Sequence, residues 1–137
     1  MSPASDLGAL LAGLRPEARP GEWVWVAEVP AGIEAAATVS EPEGRCAVVA
    51  RSDADQAGLA YDFVAAWIVL RVESALHAVG LTAAVSAALA GAGIACNVLA
   101  GLRHDHLLVP VSQADAALAV LGSLGTGASE TNPRVNL

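Results

Sequence analysis

The stretch that most constrains this chain runs from Phe63 to Glu73, where Trp67, Ile68, Val69, Leu70 and Val72 follow almost without a polar break. Successive side chains of an extended chain point to opposite sides, so apolar groups at consecutive positions demand cover on both faces. The pattern predicts a central strand. Any fold for this sequence must therefore cover residues 63–73 twice, from its own elements or from a partner.

Composition carries the same message. Hydrophobic residues make up 55% of the chain and charged residues 15%, against a usual charged share of roughly 25%. A length of 137 residues fits one compact domain, or two very small ones sharing a core. Seven Arg and no Lys face fourteen Asp plus Glu, for a net charge of -7. Nucleic acid and anionic membrane surfaces, which both need a clustered positive field, are thereby argued against as partners. Cys46 and Cys96 belong to no CxxC pair and read as reduced small hydrophobes. The first residues lack a charged start before a long apolar core, and no apolar run reaches the roughly 18 residues of a membrane span. The expected location is the cytoplasm.

Around the central strand the periodicities are short and well punctuated. Leu7, Leu10, Leu11 and Leu14 recur at helical spacing, with Ser5 as a cap and Arg15-Pro16 as the stop. Pro20-Gly21 reads as a turn into a strand over Glu22 to Val29, which carries Trp23 and Trp25 on one face. A short strand over Thr38–Glu41 and a firmer one over Cys46–Arg51 follow, then a helix capped from Ser52 and ended by Gly58. Beyond the central strand come a helix over Leu81–Ala92 and a strand over Ile94–Ala100, with Ile94, Cys96 and Val98 on one face and Asn97 on the other. A strand over His106–Val111, read as an edge strand, leads to a last helix from Ser112, with Ala117 and Leu121 on its buried stripe. The segment after Gly122 is rich in Gly, Ser, Thr and Asn and reads as a mobile tail.

This order is two β-α-β-β-α units in succession. The second contains Gly80-Leu81-Thr82 at a helix start, Ala92-Gly93-Ile94 entering a strand, and His104-Asp105-His106-Leu107 entering the next. On these segments the chain resembles the ACT-domain family, in particular its small bacterial tandem-ACT proteins. The resemblance implies an α+β fold of tandem ferredoxin-like (ACT-like) βαββαβ units with an abbreviated first unit, in antiparallel sheets with helices on one face. It implies units over residues 1–61 and 62–123, with a tail over 124–137. It also implies a regulatory sensor, not an enzyme, that binds a small molecule such as an amino acid and needs no cofactor. Carried over position by position, the ligand groups are Ser74, His77, Gly80, Leu81 and Asn97, with Asp105 as an addition. The free N–H groups at the start of the Leu81 helix and the bare backbone at Gly80 suit a carboxylate there on physical grounds alone.

Two other readings start from the same residues. A dimerising module without a ligand would use the apolar excess alone, and a homodimer is expected in either case. His104 and His106, two apart on a strand, share a face as metal ligands sometimes do. A metal-dependent enzyme built on them would need His77 or a distant Asp as third ligand, and Asp105 is more simply the residue that shapes the turn. No nucleophile elbow or glycine-rich phosphate loop is present.

Overall fold

The structure, a computed structural model, describes residues 6–72 and 79–129. One six-stranded antiparallel sheet organises them, in the order β2-β3-β1-β4-β6-β5. Its strands are β1 (Pro16–Val26), β2 (Ala37–Glu41), β3 (Gly44–Ala50), β4 (Val64–Leu70), β5 (Asn97–Ala100) and β6 (Asp105–Pro110). The helices are α1 (Leu7–Ala12), α2 (Arg51–Gln56), α3 (Leu81–Gly91) and α4 (Ala114–Ser129), with a 3-10 turn over Val111–Gln113 before α4.

The apolar run is central, as its two-sided pattern requires: β4 lies between β1 and β6, and its last six residues are all buried. On one side Ala66, Ile68 and Leu70 pack with Leu107 and Val109 of β6 against Leu10, Leu14, Leu81, Val85, Leu89, Ala117 and Leu121. Helices α1, α3 and α4 thus close this face. Further along the same face, Val24, Val26, Ala47 and Val49 pack on Ala54 of α2. The other face holds Trp67, Val69, Ala65, Val48 and Leu108, joined by Trp23, Trp25, Phe63, Leu99, Ala36 and Ala37. No described helix contributes to it. The sheet curls instead, so that the edges β2 and β5 border one cavity on this side.

The N-terminal strand is longer than the sequence suggests. Pro20-Gly21 does not turn the chain but interrupts β1 as a bulge, where the register against β4 shifts between Arg19 and Trp23. Gly21, at φ 95°, supplies the left-handed backbone that the irregularity needs. Arg51 of α2 ties the bulge down: its Nη1 donates to Glu22 at 2.8 Å and its Nε to the Tyr61 hydroxyl at 3.0 Å. The consequence is that β1 serves both halves of the molecule. Trp23 to Val26 pair with β3, while Pro16 to Arg19, Trp23 and Val24 pair with β4.

Three local readings change. Asp6, not Ser5, caps α1, its carboxylate accepting the Ala9 N–H at 2.9 Å. β6 is not an edge strand, because β5 pairs along its outer side. Helix α4 runs through Gly122 to Ser129, past the expected end, because Leu124 packs on the core. Gly125 lets α4 approach α1 closely: a Cβ there would stand 3.2 Å from the Leu11 carbonyl oxygen.

Candidate functional site

The curled face carries a polar cluster that no local motif announces. Its centre is Trp67, only 3% exposed, whose neighbours are fixed by strand pairing. Arg19 of β1 stands opposite Trp67 across one side of β4, and β6 supplies Leu108 across the other, so His106 lies one pleat further along the same face. The Arg19 guanidinium sits 4.3 Å from the centre of the Trp23 ring and 4.6 Å from that of Trp67. The two indoles meet edge to face at 5.1 Å. Both rings hold the cation through their negative faces.

The Trp67 indole N–H donates to His106 Nδ1 at 3.0 Å. An indole has no acceptor, so His106 Nδ1 must be the unprotonated nitrogen and the proton of the neutral ring sits on Nε2. Burial holds the His106 imidazole below its ordinary value, and nearby His104 adds to the effect. Arg71, whose Nε donates to Glu17 at 3.3 Å, completes the rim.

These side chains border two openings on one floor. A cavity of about 320 Å³ is lined by Glu17, Arg19, Trp67, Arg71, His104 and His106, among others. A second, of about 530 Å³, shares Arg19, Trp67 and His106 and is otherwise walled by residues 36–39 and 98–101. Both volumes fall in the range of roughly 300–1,000 Å³ usual for small-molecule sites. Two buried nitrogens in this region, Trp23 Nε1 and His104 Nδ1, have no hydrogen-bond partner among the described residues. Two guanidiniums against one carboxylate make the first cavity locally cationic in a chain of net charge -7. A carboxylate is the group such a lining accommodates best.

The positions singled out from sequence are spread over both faces. Gly80 and Leu81 stand together at the start of α3, with Gly80 in the left-handed conformation at φ 100° and no side chain capping the helix. Leu7 of α1 covers this point, since a Cβ on Gly80 would lie 3.2 Å from its Cδ2. Leu81 is buried in the core beneath the helices. Asn97 is exposed and points away from them: its neighbour Val98 packs into the helix-side core, while Leu99, two residues on from Asn97, belongs to the curled face. Asp105 opens β6 opposite Leu70 and Ala100, and burial pushes its carboxyl up. Ser74 and His77 lie outside the described residues. His104 and His106 do share a cavity, as their spacing predicts. Among the described residues no group of three His, Cys, Asp or Glu is arranged to hold a metal.

The sequence marks Trp67 only as a residue of the central strand, and Arg19 and Arg71 not at all. A signal existed for Arg19: continuing the alternation of Trp23 and Trp25 upstream through Pro20-Gly21 puts it on their face.

The ACT-domain family matches the chain twice, over residues 2–66 and again over residues 63–123. A protein of unknown function from Vibrio cholerae, described as a possible transport protein, is 40% identical, covering 87% of this chain and 95% of its own, with a TM-score of 0.79. A protein from Agrobacterium tumefaciens superposes with a TM-score of 0.64 at 17% identity, over 82% of this chain and 89% of its own. The ligand-free regulatory subunit of aspartate kinase from Thermus thermophilus does so at 0.60 and 12%, over 80% of this chain and 95% of its own. At those two identities the likeness is one of fold. No curated protein matches the sequence. The chain belongs to the ACT-domain family, with two ACT units in tandem sharing a single curled sheet.

Proposed function

We propose that this protein is a cytoplasmic regulatory module that binds an amino acid on the curled face of its sheet and has no catalysis of its own. ACT membership supports a regulatory, ligand-binding role in general. The observation that carries the finer reading is the Arg19 guanidinium, stacked on two indoles at the junction of two cavities. A cation held by ring faces keeps its N–H groups directed elsewhere, and the cavities are where a carboxylate would meet them.

A thermal-shift screen against the twenty amino acids tests this. A ligand at 100 times its Kd adds about 2.7 kcal/mol to stability, and Arg19→Gln is expected to abolish that shift. If no amino acid stabilises the protein, the reading fails. Binding that survives Arg19→Gln would move the ligand either to the start of α3, where Gly80 and Leu81 stand, with Ser74, His77 and Asp105 as the further candidates, or to Asn97 on the opposite face.

The module is also proposed to work as a homodimer. Its charged share of 15% and the exposure of Val79 and Leu102, at 83% and 74%, support a covered surface in the assembled protein. Sedimentation at high micromolar concentration should show a dimer, and a monomer there would sink the assignment.

A further inference from the structure

The two cavities differ in chemistry while sharing a floor. Beyond Arg19, Trp67 and His106, the first carries the charged and polar groups Glu17, Arg71 and His104 among Ala18, Pro20 and Val69. The second has no charged wall outside that floor: its sides are the backbone and small apolar side chains along β2 and β5 and at their ends, with Leu99 the largest and Thr38 the one hydroxyl. Consecutive residues 36–39 and 98–101 all border it. Neighbouring side chains on a strand point to opposite faces, so a cavity touched by every residue in turn is bordered by the strand edge itself.

We infer that the ligand is an amino acid with an apolar side chain, its carboxylate between Arg19 and the Nε2–H of His106 and its side chain in the gap between β2 and β5. This rests on the amino-acid reading above and narrows it. The Nε2–H follows from the Trp67 bond, which fixes the tautomer. Gly101 leaves room beside that nitrogen: a Cβ there would come 3.2 Å from His106 Nε2 and 2.8 Å from the His104 carbonyl oxygen. A charged tail would find no group of opposite charge in the second cavity beyond the shared floor, and would lose its hydration there at a cost in affinity. An apolar tail removes the exposed flanks of Val39 and Leu99 from water.

The test is calorimetry with L-leucine, L-alanine, L-glutamine, L-lysine and L-leucinamide. Leucine is expected to bind about tenfold or more tighter than alanine, because its longer side chain fills the gap. Leucinamide, which keeps the amine and tail but lacks the carboxylate, should not bind measurably. Leu99→Asp should abolish the advantage of leucine over alanine while alanine still binds. Leu99 is half-buried, so the exposed Val39→Asp serves if that variant does not fold. Glutamine or lysine binding more tightly than leucine overturns the inference and leaves the amino-acid reading standing. So does leucine binding unchanged in both folded variants. If none of the amino acids binds, it is the underlying reading that fails.

Discussion

The two faces of β4 are built from alternate residues of one short strand, yet they solve different problems. Ala66, Ile68 and Leu70 meet only aliphatic groups and are sealed by three helices. Ala65, Trp67 and Val69 meet indoles, an imidazole and a guanidinium, and no described helix covers them. The helix side is closed and uniform, and any loss there leaves a void. The curled side is aromatic and partly open, held by contacts that need polar partners. Stability and recognition are therefore separable along seven residues, because alternation keeps their determinants on opposite sides.

That separation can be tested from either side. The largest effect is expected from Ile68→Ala, which empties a fully buried position beneath the helices. A loss of about 2–5 kcal/mol in urea unfolding is expected, with ligand affinity of the folded fraction unchanged. Altered affinity would show that the faces are coupled. Trp67→Phe acts on the other side: it keeps an aromatic ring but removes the N–H that His106 accepts. It should cost about 1 kcal/mol of stability and weaken ligand binding, since the imidazole is then free to change tautomer. Equal binding in wild type and variant would remove His106 from the site.

The smallest effect is a pH dependence. Burial lowers the folded-state value of His106 below the ordinary imidazole value of about 6.5. The unfolded chain then binds the proton more readily, so this contribution is fully present above that ordinary value. It is lost as pH falls through it toward the lower folded one. Protonation would also place a donor where Trp67 needs an acceptor. His104, Asp105, Arg19 and Arg71 all act on this ring: Asp105 opposes the shift, and the other three add to it. Urea midpoints taken between about pH 7.5 and 5.5 should fall further for wild type than for His106→Gln, whose amide oxygen can still accept from the indole. Parallel midpoints would count against the assigned tautomer.

Much of the fold was legible because its signals are local. The two-sided apolar run fixes β4 as central, and Leu81, Val85 and Leu89 announce the buried side of α3. The alternation of Ile94, Cys96 and Val98 against Asn97 also places Asn97 correctly on the side away from the helices. The further step of joining Asn97 to Gly80 in one site depends on where α3 lies, and α3 packs on the Val98 side. The aromatic seat was out of reach for a different reason. Arg19, Trp67 and His106 come from three strands, and only the register of β1 and β6 on β4 unites them. Pro20-Gly21 concealed even the nearest pair, because such a dipeptide signals a turn more often than a bulge inside a strand.

The interruption in β1 has an arithmetic of its own. Four steps along the chain from Arg19 to Trp23 answer two steps along β4 from Trp67 to Ala65, so the surplus is even and Arg19 stays on the side of the indoles. Deleting a single residue between them would make the surplus odd. Every side chain upstream or downstream of the deletion would then have to change sides: either Trp23 and Trp25 would be driven beneath α2 while Val24 and Val26 faced the cavity, or Arg19 would be turned into the helix-side core. Removing two residues together would preserve both faces. The loop-like look of Pro20-Gly21-Glu22 suggests a segment indifferent to length, whereas the sheet tolerates length changes there only in pairs.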